Sequence, residues 1–234
     1  MKDSITVVIP AFNEEENIEK SVEVVSKTVG SVVEDYEILI VNDGSKDNTG
    51  VIAQKLTQQD KRVRLITHKT NLGMGATLLD GFRNAGKTYI TGYPADVDMS
   101  IKSFKELLLA RGKAEMVSSY MTNFSDRTPA RRVISILFIK VMNFIFRLNL
   151  RYYNGYFICR KTLLDNLKIK SKGFTISAEI KIRLIKNGVS FTDIPFKHVP
   201  RVFGVSKALT VKNILQTIYI ILVLIKDIYL TPKK

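Results

Sequence analysis

Apolar and polar positions in the first hundred residues switch repeatedly between two periods. Ile5–Ile9, Glu37–Val41, Val63–Thr67 and Thr88–Tyr93 are short runs rich in Val, Ile, Leu and Tyr, each bounded by turn residues. That pattern predicts strands. Between the first two runs, Ile18, Val22, Val25 and Val29 fall on one face of a helix. Asn13, with Glu16 three residues later, reads as a capping box at its start. Asp47–Gln58 and Ala76–Ala85 are further predicted helices. Strand–helix alternation of this kind predicts an α/β fold, a mostly parallel sheet covered on both faces.

After Lys102 the pattern changes. Phe104, Leu107, Leu108 and Arg111 suggest a helix, and Met116–Tyr120 a strand. Arg131–Leu150 carries Ile134, Leu137, Phe138, Val141, Ile145 and Leu148 on one side, with Lys140, Asn143 and Arg147 on another. A helix so broadly apolar packs in a core or lies in a membrane interface. Gly173–Asn187 is read as a helix around Glu179, and Val189–Pro195 as a strand. The most apolar tract, Ile214–Ile225, is too short to span a bilayer, which takes about 20 residues. Extended to Val211–Leu230 it takes in Lys212, Lys226 and Asp227. It is expected to lie on a membrane or pack on a partner, with no transmembrane span and no signal peptide. Residues 1–210 would form the catalytic domain and 211–234 a C-terminal amphipathic helix.

In parallel α/β sheets ligands sit outside the carboxyl ends of the strands. The loops at those ends begin Pro10-Ala11-Phe12-Asn13-Glu14, Asn42-Asp43-Gly44-Ser45, His68 and Pro94-Ala95-Asp96-Val97-Asp98. Three of the four carry carboxylates. Asp96 and Asp98, two apart, could both reach one hard cation such as Mg²⁺ or Mn²⁺, or could form a solvated acidic turn. Asp43 could accept from a nucleobase or ribose, or simply end a strand at a turn. The amides around Gly73 could face a phosphate. His68 and His198 lack ligand-like spacing and read as structural. Arg131 and Ser135, four apart, could hold an anion together. Arg201, Ser206 and Lys207 place two cations and a hydroxyl in one glycine-containing loop, a plausible diphosphate clamp.

Charge sharpens this picture. Lys and Arg number 36 against 22 Asp and Glu, a net +14, with the acids crowded into the first hundred positions. Such an excess suggests a polyanionic partner, but no recognised nucleic-acid motif is present. A non-catalytic basic module binding acidic lipid or nucleic acid is therefore the weaker alternative. The single cysteine, Cys159, cannot form an internal bridge.

Taken in order, Val7–Glu14, Ile40–Ser45 with Asp47-Asn48-Thr49, Asn71-Leu72-Gly73, Tyr153-Asn154-Gly155-Tyr156 with Arg160, Glu179, and Arg201 with Gly204-Val205-Ser206-Lys207 form a recognisable set. The set resembles the inverting GT-A-type family 2 glycosyltransferases, in particular the polyprenyl-phosphate sugar transferases, among them dolichol-phosphate mannose synthase. The resemblance covers about residues 4–210. It implies a Rossmann-like GT-A fold, a nucleotide-sugar donor (GDP- or UDP-linked), a divalent cation and a lipid-phosphate acceptor. It also implies peripheral attachment to the cytoplasmic face of a membrane, with a homo-oligomer or membrane-protein partner as a further option. Pro10, Phe12, Glu14, Asp43 and Gly73 would line the nucleotide site. Asp96 and Asp98 would serve the metal, and Arg131 and Ser135 would meet the acceptor phosphate. Arg201, Ser206 and Lys207 would close over the diphosphate. The chain departs from the family's pattern at Pro94, which stands where the first Asp of Asp-x-Asp is usual, and at Asn42. Transfer to a saccharide hydroxyl, with Glu179 as a base, is the alternative within the same fold.

Overall fold

The computed structural model describes residues 3–97, 99–199 and 210–231. Four strand–helix units open the chain: β1 (Ser4–Ala11), α1 (Ile18–Gly30), β2 (Asp35–Asn42), α2 (Thr49–Gln59), β3 (Val63–Thr67), α3 (Met74–Asn84), β4 (Tyr89–Gly92) and α4 (Ile101–Leu109). They continue into β5 (Met116–Met121), α5 (Pro129–Phe146), β6 (Phe157–Arg160), the short α6 (Thr162–Asp165), α7 (Ile176–Lys186), β7 (Phe191–Phe196) and α8 (Val211–Ile225). A π-helical turn, Lys226–Leu230, prolongs α8. Among the described residues these strands form a seven-stranded sheet ordered β3-β2-β1-β4-β6-β5-β7.

β1 to β4 pair in parallel, and β5 pairs in parallel with β7. Only β6 runs against its neighbours, β4 and β5. The central strands are apolar on both faces: Ile38, Leu39, Ile40 and Val41 are all wholly buried. A sheet with helices on both sides demands this, since neither strand face meets water. α1 places Ile18, Val22, Val25 and Val29 in the core below the sheet. At roughly 1.5–3 kcal/mol for each large aliphatic side chain, this face alone fixes the helix against the sheet.

Three expectations need correction. Asn13 and Glu16 do not cap α1, which begins at Ile18. Asn13 takes a left-handed backbone, φ 56°, and its side chain serves the neighbouring loop instead. The helix read as Arg131–Leu150 stops at Phe146: Arg147 turns left-handed, φ 48°, and the Asn143 side chain bonds both N–H and C=O of Leu150. The helix around Glu179 starts at Ile176 rather than Gly173.

α5, α7 and α8 share a separate cluster containing Met142, Phe146, Tyr153, Ala178, Ile182, Ile220 and Leu224. Within Asn213–Leu230, 18 residues of mean hydropathy 1.6, Ile220 and Leu224 are buried, and by length and composition alone this stretch suffices to cross a membrane. Its outer side exposes Ile214, Leu215, Ile218, Tyr219 and Leu222, and α5 exposes Val133, Ile134, Ile136, Leu137, Val141 and Phe144, the last at 86%.

Candidate active site

Because β1 to β5 and β7 run one way and β6 the other, one sheet edge collects the exits of six strands and the entrance of β6. The register brings Ala11, Asn42 and Thr67 level at that edge. The first two loops are knitted together. Asp43 N–H donates to Ala11 O at 2.8 Å, Asn13 N–H to Ser45 Oγ at 3.0 Å and Lys46 N–H to Asn13 Oδ1 at 3.0 Å. Glu14 N–H donates to Thr49 Oγ1 at 2.8 Å. Asp47 joins in by accepting from the Glu15 and Thr49 amides. Burial opposes its ionised form, yet the bonds from Thr49 and from the Glu15 amide hold its carboxyl below the usual carboxylate range.

Asp43 ties the second loop to the third. It is only 2% exposed. Oδ1 lies 2.8 Å from His68 Nδ1 and accepts from Leu72 N–H at 2.8 Å, while Oδ2 accepts from Gly73 N–H at 2.9 Å. His68 Nε2 lies 3.2 Å from Asp80 Oδ2. The histidine thus links the two carboxylates Asp43 and Asp80. Pro10, Phe12 and Glu14 are half-buried around the same loops.

The fourth loop is held from three directions. Tyr93 N–H donates to Val8 O at 2.9 Å, Tyr93 Oη to Met99 O at 3.2 Å, and Ser21 Oγ to Pro94 O at 3.2 Å. Asp96 is half-buried here. Val97 beside it has φ 53°. A β-branched residue in this region is an outlier costing about 1–3 kcal/mol, of a kind that clusters at functional sites. Met99 forms a bridge with His198, which brings the end of β7 next to this loop; sequence spacing gave no sign of that approach. Asp98, Arg201, Ser206 and Lys207 lie outside the described residues.

Arg131 and Ser135 sit on the first two turns of α5, where the sequence placed them, with Arg131 exposed. A residue not singled out from the sequence holds Ser135. Arg127 donates through Nη1 to Ser135 Oγ at 3.0 Å and through Nη2 to Tyr152 Oη at 3.1 Å. Its guanidinium also lies over the Phe124 and Tyr152 rings. An Asp-Arg-Thr-Pro run just before an apolar helix was the available signal. Tyr152 leads into the loop before β6, so this group belongs to the same edge. Arg160 does not: it ends β6 opposite Tyr89, at the far side of the sheet.

Glu179, considered as a base, is wholly buried. It accepts from the Lys170 and Ser171 amides and from Arg183 Nε at 2.8 Å. Cys159 is buried too, and burial pushes its thiol up to about 12, which makes it inert. Two surface hollows lie away from the loops just described. One of about 340 Å³ lies beside the start of β2, among Asp35, Tyr36, Arg62 and Lys87, and one of about 410 Å³ between α1 and α4. Asp43, Asp96 and Arg127, from separate strands, lie along the loop edge, but the Gly73 and Gly75 amides, expected to face a phosphate, are taken by Asp43 and by Lys172 O.

Comparison with known proteins agrees with this geometry. The chain is 29% identical over 217 residues to the polyprenol monophosphomannose synthase of Mycolicibacterium smegmatis, covering 86% of this chain and 79% of that one. It is 25% identical over 221 residues to glycosyltransferase AglD of Haloferax volcanii, covering 90% of this chain and only 35% of that longer protein. The glucosyl-3-phosphoglycerate synthase of Mycobacterium tuberculosis, solved with Mn²⁺, UDP and glucosyl-3-phosphoglycerate, superposes with a TM-score of 0.64. That match covers 99% of this chain and 82% of that one at 16% identity, a likeness of fold. Residues 6–171, which contain the first four loops and the arginine group of α5, match glycosyl transferase family 2, and the chain therefore belongs to that family as a glycosyltransferase of the GT-A fold.

Proposed function

We propose that this glycosyltransferase moves a sugar from a nucleotide diphosphate donor to a lipid phosphate of the polyprenyl kind, at a membrane surface and with inversion. The observation that carries the reading is the apolar surface of α5 and α8, which begins beside Arg131 and Ser135 and leaves Leu137, Phe144, Leu215 and Leu222 in the open. Exposed patches of this extent mark a partner, and a lipid phosphate presents its charge and its apolar tail side by side. The mannose synthase relative, by its name, acts on such a lipid.

On the donor side, Pro10, Phe12, Glu14 and Gly73 are assigned to the nucleotide. Asp43 acts chiefly by fixing the Leu72–Gly73 turn, whose amides donate to it. Arg201, Ser206 and Lys207 are assigned to the diphosphate on their motif alone. On the acceptor side, Arg131 and Ser135 take the phosphate, with Arg127 holding Ser135 in place. An acceptor oxygen attacks the anomeric carbon while the bond from that carbon to the donor diphosphate breaks, and the nucleoside diphosphate departs. The attacking oxygen is already ionised near neutral pH, so no base is required. A saccharide hydroxyl would need one, and Glu179, buried and saturated with donors, is poorly suited to the task.

A divalent cation fits this edge as a shared ligand. Among the described residues no three His, Cys, Asp or Glu side chains converge. Asp96 offers hard oxygen donors, and Mg²⁺ commonly binds one or two carboxylates and takes the rest from substrate phosphates. Asp96 with Asp98 would hold Mg²⁺ or Mn²⁺, which would offset charge on the leaving diphosphate.

Residues 1–210 are taken as the catalytic unit and 211–234 as its membrane-facing appendage, lying along the cytoplasmic surface. Lys226 and Asp227 within the apolar stretch, and the packing of Ile220 and Leu224 on α5 and α7, favour lying over crossing. Basic residues near the surface, such as Arg131, Arg132 and Lys140, would add roughly 1 kcal/mol each towards anionic lipid. The test offers polyprenyl phosphate and an oligosaccharide side by side with labelled UDP- and GDP-sugars. Label is expected in the extracted lipid; label confined to the oligosaccharide defeats the proposal.

A further inference from the structure

A band of ionic and backbone contacts runs from the end of the C-terminal helix to the Gly73–Gly75 turn, and the reaction outlined above uses none of it. Asp227, in the turn that prolongs α8, accepts from Arg183 Nη2 at 2.8 Å and lies 3.4 Å from Lys170 Nζ. Arg183 Nε donates to Glu179 Oε1 at 2.8 Å. Glu179 in turn receives the amides of Lys170 at 3.1 Å and Ser171 at 2.7 Å. Segment 170–173 is thereby pinned to α7 by one buried carboxylate.

The same segment touches the donor-side turn directly. Gly75 N–H donates to Lys172 O at 3.1 Å. A Cβ on Gly75 would stand 2.6 Å from the Lys172 carbonyl carbon, and one on Gly73 would stand 2.8 Å from Lys172 O. Backbone therefore meets backbone with no side chain between. Gly73 is held from its other side by Asp43. Gly173 lies under α8, where a Cβ would stand 2.7 Å from Gln216 Oε1. A buried ion pair kept only for stability could be replaced as a whole by apolar side chains at little cost. This one directs its bonds at the strip of backbone on which the turn rests.

We propose that Glu179 is a positioning residue for the donor: through segment 170–173 it fixes the Gly73–Gly75 turn, and Arg183 and Asp227 make the C-terminal helix part of that support. The inference rests on the donor role assigned to Gly73 above. It also means that disturbing the end of α8 weakens donor binding at a distance while leaving the acceptor group at Arg127 and Arg131 untouched.

Calorimetric titration of the full chain with UDP and with GDP, each with Mg²⁺, tests this on wild type, Glu179→Gln, Asp227→Asn, Arg183→Met and Arg183→Lys. Glu179→Gln and Arg183→Met should weaken nucleotide binding about tenfold, and Asp227→Asn about threefold, the range seen when a coupling network is cut. Arg183→Lys should recover part of the loss. KM for the lipid phosphate should stay within about twofold in every folded variant. Wild-type nucleotide affinity in Glu179→Gln, or an equal rise in acceptor KM, overturns the inference alone. If Glu179→Gln does not fold, Asp227→Asn decides in its place, because its carboxylate is partly exposed. A wild-type chain that binds neither nucleotide overturns the donor reading, and the inference with it.

Discussion

Asp43 and Arg127 stand on two sides of one sheet edge and are supported by different means. Around Asp43 the loops from β1, β2 and β3 close on one another through hydrogen bonds of 2.8–3.0 Å between named partners. Asp43 and Asp47, which look reactive in the sequence, are engaged in holding turns. Around Arg127 the polar contacts are few, and α5 and α8 leave a broad apolar surface uncovered. Among the described residues, the loops around Asp43 are closed on one another. The acceptor side is stable as it stands but wants a second phase against it. A preorganised pocket suits a small, charged, soluble ligand, whereas an uncovered apolar face suits a ligand delivered by a bilayer.

That contrast can be attacked from either end. The largest effect is expected at Asp43→Ala, which leaves the Leu72 and Gly73 amides and His68 without their acceptor. Folding stability should drop by about 3 kcal/mol in denaturant titrations and nucleotide binding should vanish. Asp96→Ala should reduce kcat/KM about a hundredfold, with a smaller fall in melting midpoint than Asp43→Ala, since Asp96 is half-buried where Asp43 is buried. Equal losses of activity and stability there would erase the distinction between a turn-holding acid and a reacting one. On the other side, Arg127→Met should raise KM for the lipid phosphate about tenfold and leave UDP or GDP affinity alone. Phe144→Ser should lower partition onto anionic vesicles about tenfold, read by sedimentation, with no loss of stability.

A further effect concerns pH. Lys181 is wholly buried on α7, and burial pushes its ammonium down to about 7, with Asp193 opposing. In the unfolded chain a lysine titrates near ~10.4. Between those values the unfolded state binds the extra proton, so this group makes the fold more stable as pH rises from about 7. Denaturant midpoints should climb gently between about pH 7 and 9.5, and Lys181→Met should flatten the climb.

Much of the parallel sheet and its first loops is legible in the sequence. The apolar runs Ile5–Ile9 and Glu37–Val41 and the spacing of Ile18, Val22, Val25 and Val29 are strong local signals, and the parallel sheet follows from their alternation. The errors lie where a partner distant in the chain decides. Asn13 resembles a helix cap until Ser45 and Lys46, more than thirty residues on, claim it. Asp43 resembles a ligand contact, and its bonds to residues 72 and 73 cannot be seen in spacing. β6 was not anticipated: four residues, Phe157–Arg160, are too few to show a period, and their reversed direction is set by the sheet alone. Arg127 and the Glu179–Arg183–Asp227 series were missed for the same reason, since their geometry depends on how three helices pack.

The reversed strand also has a consequence for how such enzymes diversify. The excursion carrying α5 leaves the sheet from β5 and re-enters through β6, and these two strands are immediate neighbours, with Ser118 opposite Phe157. At that pair the strands are about one strand spacing apart, near 5 Å, and Met121 lies three residues, about 10 Å, farther along β5. An insert whose ends lie so near each other can be exchanged for one of another length or chemistry without stretching the frame. Residues 122–156 should thus tolerate exchange wherever Met142 and Phe146, which pack on α7 and α8, are kept.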